Sequence, residues 1–185
     1  MAEPVARTEY FELTTPVPTA VPGKKEVVEL FWYACPHTYR FEAAVNPWAE
    51  SLQEDITFRK LPAMFGGPWD AHGQMFLTLE AMGAGSHVHA AIFDAIQRQR
   101  MRLTGSLEQA DFLATQGMDR LKYQACFHSL AVKDQVRRVK KLTQRYETTG
   151  VPSLVVNGCY RTDLPAAGGP EALLAIVDNL LAAPL

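Results

Sequence analysis

The stretch VVELFWYACPHTYRF, residues 27–41, constrains the fold of this chain more than any other. Its first seven residues, Val27–Tyr33, are almost all apolar or aromatic, the composition of a strand buried on both faces. The chain then turns through Ala34, Cys35 and Pro36. From there Tyr39, Ala43, Val45, Trp48 and Leu52 follow helical spacing, so a helix is expected from Cys35 to about Leu52. A strand therefore runs straight into a helix, with a cysteine at the junction. A side chain at that point faces unpaired backbone N–H groups and the positive end of the helix dipole, and both favour thiolate over thiol. Pro36 suits the first helical position, where its missing N–H is no loss.

Composition narrows the class. With 185 residues, 48% apolar and 21% charged, the chain can bury one good core or a core plus a satellite subdomain. A formal charge of −2 and the lack of aromatic–basic repeats argue against nucleic acid as a partner. No apolar run reaches membrane-spanning length. The start, MAEPVARTEYFEL, lacks the basic residues and apolar core of a secretory signal. Either the protein is cytosolic, or a signal has been removed and Met1 is an added start.

Along the chain, Tyr10, Phe11 and Leu13 suit a short edge strand, and the proline-bearing segment Thr14–Gly23 a stiff connector. Val27–Tyr33 is read as the central strand. Pro47 should kink or interrupt the helix that follows. Ile56–Leu61 alternates as a second core strand, which gives a βαβ opening. From Trp69 to about Glu147 the periodicity is helical, with Ser106 and Gln109 read as a capping box and Asp119 as a further cap. Residues 151–157 return to strand composition, and Asn157-Gly158 is the strongest hairpin signal. A last helix runs from Glu171 to Leu181, with Leu173, Leu174, Val177, Leu180 and Leu181 on its apolar face. The expected fold is α/β: a thioredoxin fold with an inserted all-helical subdomain. Residues 1–62 and 148–185 form the thioredoxin-like domain and residues 63–147 the insert.

The segments VVELFWYACPH (27–37), FRKLPAMFGG (58–67) and TGVPSLVVNGCY (149–160), with the helical block between them, resemble the DsbA family of bacterial periplasmic thiol:disulfide oxidoreductases. The resemblance covers nearly the whole chain. It implies a C-P-H-C active site, a cis proline facing it, an apolar peptide groove, location in the periplasm, and reoxidation by a DsbB-like membrane quinone-linked oxidase. One residue departs from the pattern. The chain reads Cys35-Pro36-His37-Thr38, so a threonine stands where the family has its resolving cysteine. Thr38 is either an introduced substitution or the mark of a natural monothiol relative.

On this reading Cys35 is the nucleophile, and His37 sets a donor or positive charge beside its sulfur. Pro152 corresponds to the family's cis proline, leaving Val151 to pair with an extended substrate. Glu29 and Lys60 are charged residues within apolar strands, so they should pair or hold water. The resemblance places the acid beneath the active cysteine, where it assists proton transfer, with Lys60 in support; the bland alternative is an edge-facing salt bridge. Met64, Phe65 and Trp69 are expected to expose apolar surface to substrate next to Cys35, or equally to cover the junction with the helical subdomain. Cys126 and Cys159 read as buried thiols or as a structural disulfide. His72, His87, His89 and His128 lack ligand spacing, so no metal is expected, and no cofactor either.

A dithiol oxidant needs two sulfurs to hold and pass on a disulfide. The resemblance implies an oxidoreductase that introduces disulfide bonds into exported proteins; Thr38 supplies no sulfur, so this chain should form mixed disulfides through Cys35 without completing the dithiol cycle. The expected clients are reduced, unfolded exported polypeptides, and the expected state is a monomer. The competing readings are a glutathione-linked transferase or isomerase of the thioredoxin-like class, and a non-catalytic peptide-binding protein.

Overall fold

A computed structural model describes residues 9–184. These fall into two units. One comprises the described residues up to Leu30, Arg40–Lys60 and those from Arg145 on; the other comprises Phe31–Tyr39 and Leu61–Gln144.

The first unit is built on a five-stranded sheet of order β1-β5-β4-β2-β3: β1 (Phe11–Glu12), β2 (Lys25–Phe31), β3 (Ile56–Pro62), β4 (Ser153–Val156) and β5 (Tyr160–Asp163). The middle strand is β4, not the 27–33 segment expected there; β2 lies beside it, antiparallel, with Val28 opposite Val155. Both are interior strands, which is why β2 is buried from Glu26 to Phe31 and β4 along its whole length. β3, at the edge, is half-buried over most of its length, which explains its more polar alternating sequence. β2 and β3 are joined through helix α1 (Pro36–Glu50). The sheet ends in α7 (Leu164–Ala167) and α8 (Pro170–Ala182). Val27, Leu154 and Val156 from the sheet pack with Phe41 and Val45 of α1 and with Leu173, Val177 and Leu181 of α8. Each such side chain contributes about 1.5–3 kcal/mol by leaving water.

Pro47 does not interrupt α1, which continues to Glu50. It sits in the last turn, where the only backbone bond it forfeits is to Ala43. The end is closed by the Ser51 N–H, which donates to Trp48 C=O at 3.0 Å. The Asn157-Gly158 hairpin forms, with positive φ at both residues (52° and 63°), and Cys159 N–H donates to Val156 C=O at 2.9 Å. Gly158 is required twice over: a Cβ there would lie 1.7 Å from the Val17 carbonyl oxygen.

The second unit holds the helices α2 (Pro68–Ala81), α3 (Ser86–Gln97), α4 (Ser106–Thr115), α5 (Arg120–Phe127) and α6 (Leu130–Arg145). Helix α5 packs on α2 and α4. Asp119 caps α5 as expected, accepting from Lys122 N–H at 2.8 Å. The capping box at Ser106 does not form. The N-cap is Gly105, and Ser106 is already helical. Gln109 is drawn into the core instead, where its amide donates to Leu103 C=O at 2.8 Å and its oxygen accepts from Tyr123 OH at 2.7 Å. A buried amide that meets its hydrogen bonds there outweighs a surface cap.

Candidate functional site

Cys35 is the N-cap of α1. Its N–H donates to Trp32 C=O at 3.0 Å, closing the turn out of β2, and its C=O accepts the first helical bond, from Tyr39 N–H at 3.0 Å. Pro36 and His37 are exposed on the first turn, Cys35 is half-buried and Thr38 is fully buried. Positions 35 and 38 are three residues apart around the helix start, on one face, the spacing at which two side chains meet. The Thr38 hydroxyl is buried with no hydrogen-bond partner. A hydroxyl shut away from water in that state is costly, whereas a thiol, a weak donor and acceptor, would sit there at less expense.

The turn is held from α2 and α3. Gln97 donates to Tyr33 C=O at 2.8 Å, and Tyr39 OH donates to Asp94 Oδ1 at 2.5 Å. That hydrogen bond to a carboxylate raises the Tyr39 phenol above its ordinary pKa. The Tyr33 hydroxyl lies 2.5 Å from His89 Nδ1, and the other nitrogen of that ring is 3.3 Å from Glu80 Oε1. The Trp32 indole donates to His72 Nδ1 at 3.0 Å, and His72 Nε2 lies 2.8 Å from Arg102 C=O. An indole only donates, so Nδ1 must offer a lone pair and Nε2 must carry the proton. Burial also lowers the His72 pKa, in keeping with this neutral tautomer. His72 and His89 looked scattered along the sequence. The fold gathers them behind Trp32 and Tyr33, and only the helical register of both relative to that strand end could have revealed it.

Trp32 also stacks on Trp69, with ring centroids 3.9 Å apart and planes 16° from parallel; Phe65 meets Trp69 edge-on at 4.9 Å. Phe65 is 46% exposed and Trp69 half-buried, so an aromatic ledge reaches the surface here. Trp69 lies on α2, at the start of the helical block read from the sequence. Met64, expected on the surface, is buried: its thioether lies so close to Gly73 that a Cβ there would come within 2.9 Å of the Met64 methyl. It packs the interior.

In the first unit, the Val151–Pro152 peptide is cis, with Val151 half-buried and Pro152 buried. Glu29 is fully buried on β2, and its only charge partner among the described residues is Lys60, whose Nζ lies 3.5 Å from Oε2. Lys60 is held closer by Glu42 Oε1 at 2.5 Å and Asn46 Oδ1 at 2.9 Å. Burial pushes the Glu29 pKa up to about 7; Lys60 opposes this and the Glu42 charge adds to it. Sequence reasoning missed the second buried acid of that strand. Glu26 accepts from Ala20 N–H at 2.9 Å and faces Arg59 Nε at 3.2 Å. Cys126 and Cys159 are free thiols. Among the described residues no three His, Cys, Asp or Glu side chains are grouped to hold a metal.

A strand ending in a cysteine-capped helix, a five-stranded sheet, a cis proline ahead of an interior strand and a block of helices between its halves define a thioredoxin-fold protein with a helical insertion. The chain belongs to the DsbA-like thioredoxin domain family, whose model matches residues 26–175. It is 54% identical to the thiol:disulfide interchange protein DsbA of Pseudomonas syringae pv. tomato, over 97% of this chain and 85% of that protein. It is 52% identical to the protein of the same name from Pseudomonas aeruginosa, over 95% and 83%. Among solved structures, the crystal structure of Pseudomonas aeruginosa DsbA superposes with a TM-score of 0.92 at 52% identity, covering 94% of this chain and 91% of that one. The oxidoreductase DsbA from Xylella fastidiosa gives 0.88 at 30% identity, covering 97% and 96%.

Proposed function

We propose that this chain exchanges disulfides with exported polypeptides in the periplasm through Cys35, and that Thr38 keeps it from acting as a dithiol oxidant. The observation that carries this is the pair of positions at the start of α1: a half-buried cysteine at the N-cap and, one turn on, a buried residue without sulfur. In the exchange, the Cys35 sulfur attacks one sulfur of a substrate disulfide. A new S–S bond joins Cys35 to the substrate, the old one breaks, and the second substrate sulfur leaves as thiolate. A second thiol at position 38 would then expel the substrate and close an internal disulfide; a hydroxyl cannot accept the bond. Glu29, titrating near neutrality, supports the family's proton-transfer role for that acid. His37 and Pro152 keep the roles that the family gives those positions, and residues 63–147 that of an inserted helical subdomain. A DsbB-type oxidase belongs to the two-sulfur cycle, so it has no disulfide to restore here.

The test is intact-mass analysis after exposure to oxidised glutathione. One adduct is expected, mapped to Cys35 and absent from Cys35→Ala, with no further conversion to an internal disulfide. Thr38→Cys should lose the adduct by closing that disulfide and should then oxidise a reduced peptide. An unmodified Cys35, or an adduct confined to Cys126 or Cys159, overturns the reading.

A further inference from the structure

We propose that the activity available to this site is redox-neutral disulfide shuffling, the isomerisation of non-native disulfides in partly folded polypeptides. The inference rests on the exchange reading above and names its reaction and substrate class.

The argument begins with electron count. Net oxidation of a substrate requires an electron pair to leave it and to be stored in an enzyme disulfide; net reduction requires the reverse. Without a small thiol or disulfide such as glutathione to complete it, either needs a second sulfur beside Cys35. Position 38 has none, and the other two cysteines lie elsewhere, Cys126 on α5 and Cys159 in the β4–β5 turn. What one thiol can catalyse unaided is an exchange that leaves the substrate's own number of disulfides unchanged. Cys35 opens a substrate disulfide, forming the mixed disulfide and releasing one substrate thiolate. That thiolate attacks a different disulfide of the same polypeptide, freeing a new thiolate. The new thiolate attacks the substrate sulfur of the mixed disulfide, expelling Cys35 as it began. The substrate keeps its number of disulfides with new partners, and no oxidant or reductant is consumed.

Two features of the second unit suit this. First, release must come from the substrate, because the enzyme's own escape route is closed by a buried residue that no solvent thiol can replace. The mixed disulfide therefore persists while the bound chain rearranges. Second, the ledge Phe65–Trp69–Trp32 presents stacked aromatic surface joined directly to the active turn, since Trp32 C=O accepts the Cys35 N–H. Its inner ring, Trp32, is held in place by its hydrogen bond to His72. Misfolded, disulfide-bonded chains expose the apolar and aromatic side chains that such a surface retains. A natively folded protein buries them.

The experiment uses the full chain and a small enzyme refolded with scrambled disulfides, with no added redox buffer. Recovery of the small enzyme's activity is expected over several turnovers, with the total thiol count of the mixture unchanged, and only the uncatalysed rate is expected with Cys35→Ala. Trp69→Ala should slow recovery by about threefold to tenfold, the loss expected for one aromatic contact, with a larger effect on the polypeptide than on oxidised glutathione. If Cys35 takes up glutathione but the scrambled enzyme recovers no faster than with Cys35→Ala, shuffling is refuted while exchange stands. Recovery with a stoichiometric change in thiol count also refutes it. If Cys35 takes up nothing, the exchange reading itself fails.

Discussion

Glu29→Gln isolates the energetic consequence of burying an acid in β2. A carboxyl with an ordinary value of 4.5 titrates near 7 in the folded chain because burial disfavours its charge. Between those values the native state holds a proton that the unfolded chain has released, so stability falls as pH rises from about 4.5 to about 7 and is level above. The interval is about 2.5 units, and at 1.36 kcal/mol per unit the loss is on the order of 3 kcal/mol. Glutamine is close in shape to the protonated acid and cannot ionise. Lys60 keeps Glu42 and Asn46 in the variant, so no lone cation is left behind. Urea unfolding of both proteins from pH 4 to 8 should give curves that nearly coincide at the acid end. They should diverge with rising pH until Glu29→Gln is the more stable by roughly 3 kcal/mol. The difference between the curves cancels every other carboxylate common to both. A difference that stays flat across the window refutes the reasoning, because Glu29 would then ionise as easily in the folded state as in the unfolded one. A difference of opposite sign would mean that Lys60 outweighs burial.

Thr38→Val removes a buried hydroxyl that has no partner and keeps the shape, so the urea midpoint should rise, by an amount equivalent to about 1–2 kcal/mol; a fall would mean the hydroxyl is satisfied. His72 has its pKa lowered from 6.5, so it is held neutral when folded. As pH drops below 6.5 the unfolded chain takes up the proton first and stability declines, an effect that His72→Gln should abolish in the same titration. Protonation would also set N–H against N–H at the Trp32 indole, so tryptophan fluorescence should change in the same acid range. Gly158→Ala should cost several kcal/mol by thermal denaturation, because a Cβ cannot occupy the space at the Val17 carbonyl and the backbone there is left-handed. Little change would show that the Val17 segment moves aside freely.

What the sequence made legible was local. The strand-to-helix junction at Cys35, the Asp119 cap and the Asn157-Gly158 turn each depend on neighbours within a few residues, and each is in place. The misses depend on partners far along the chain. Gln109 looked like a capping residue because Ser106 stands three before it, but Tyr123 and Leu103 offer it better bonds inside. Met64 looked exposed because it sits among glycines in a loop; the absence of a side chain at Gly73 makes its berth. Glu26 went unnoticed because Arg59, its counter-charge, arrives from a strand more than thirty positions on. The short α7 was readable in principle: Asp163 accepts from Ala166 N–H at 2.9 Å, the bond an Asp-Leu-Pro start announces.

On the proposed reading, Thr38 sets the reaction class of the protein without altering what it recognises. On the proposal above, recognition belongs to the surface that a substrate would touch, the aromatic side chains of Phe65 and Trp69 in front of Trp32, which His72 holds. Residue 38 contributes none of it, since it is wholly buried. Its side chain lies in the interior of its own protein, one turn on from Cys35. A sulfur there gives the pair an electron pair to store, and a hydroxyl leaves Cys35 only bonds to trade. The unsatisfied oxygen is the structural cost of that exchange, and it is paid in stability rather than in binding. Thr38→Cys and Thr38→Val should therefore both raise stability while differing completely in redox chemistry. If the two variants instead differed in affinity for a disulfide-free unfolded peptide, measured by fluorescence of the tryptophans, recognition and electron capacity would not be separable at this position.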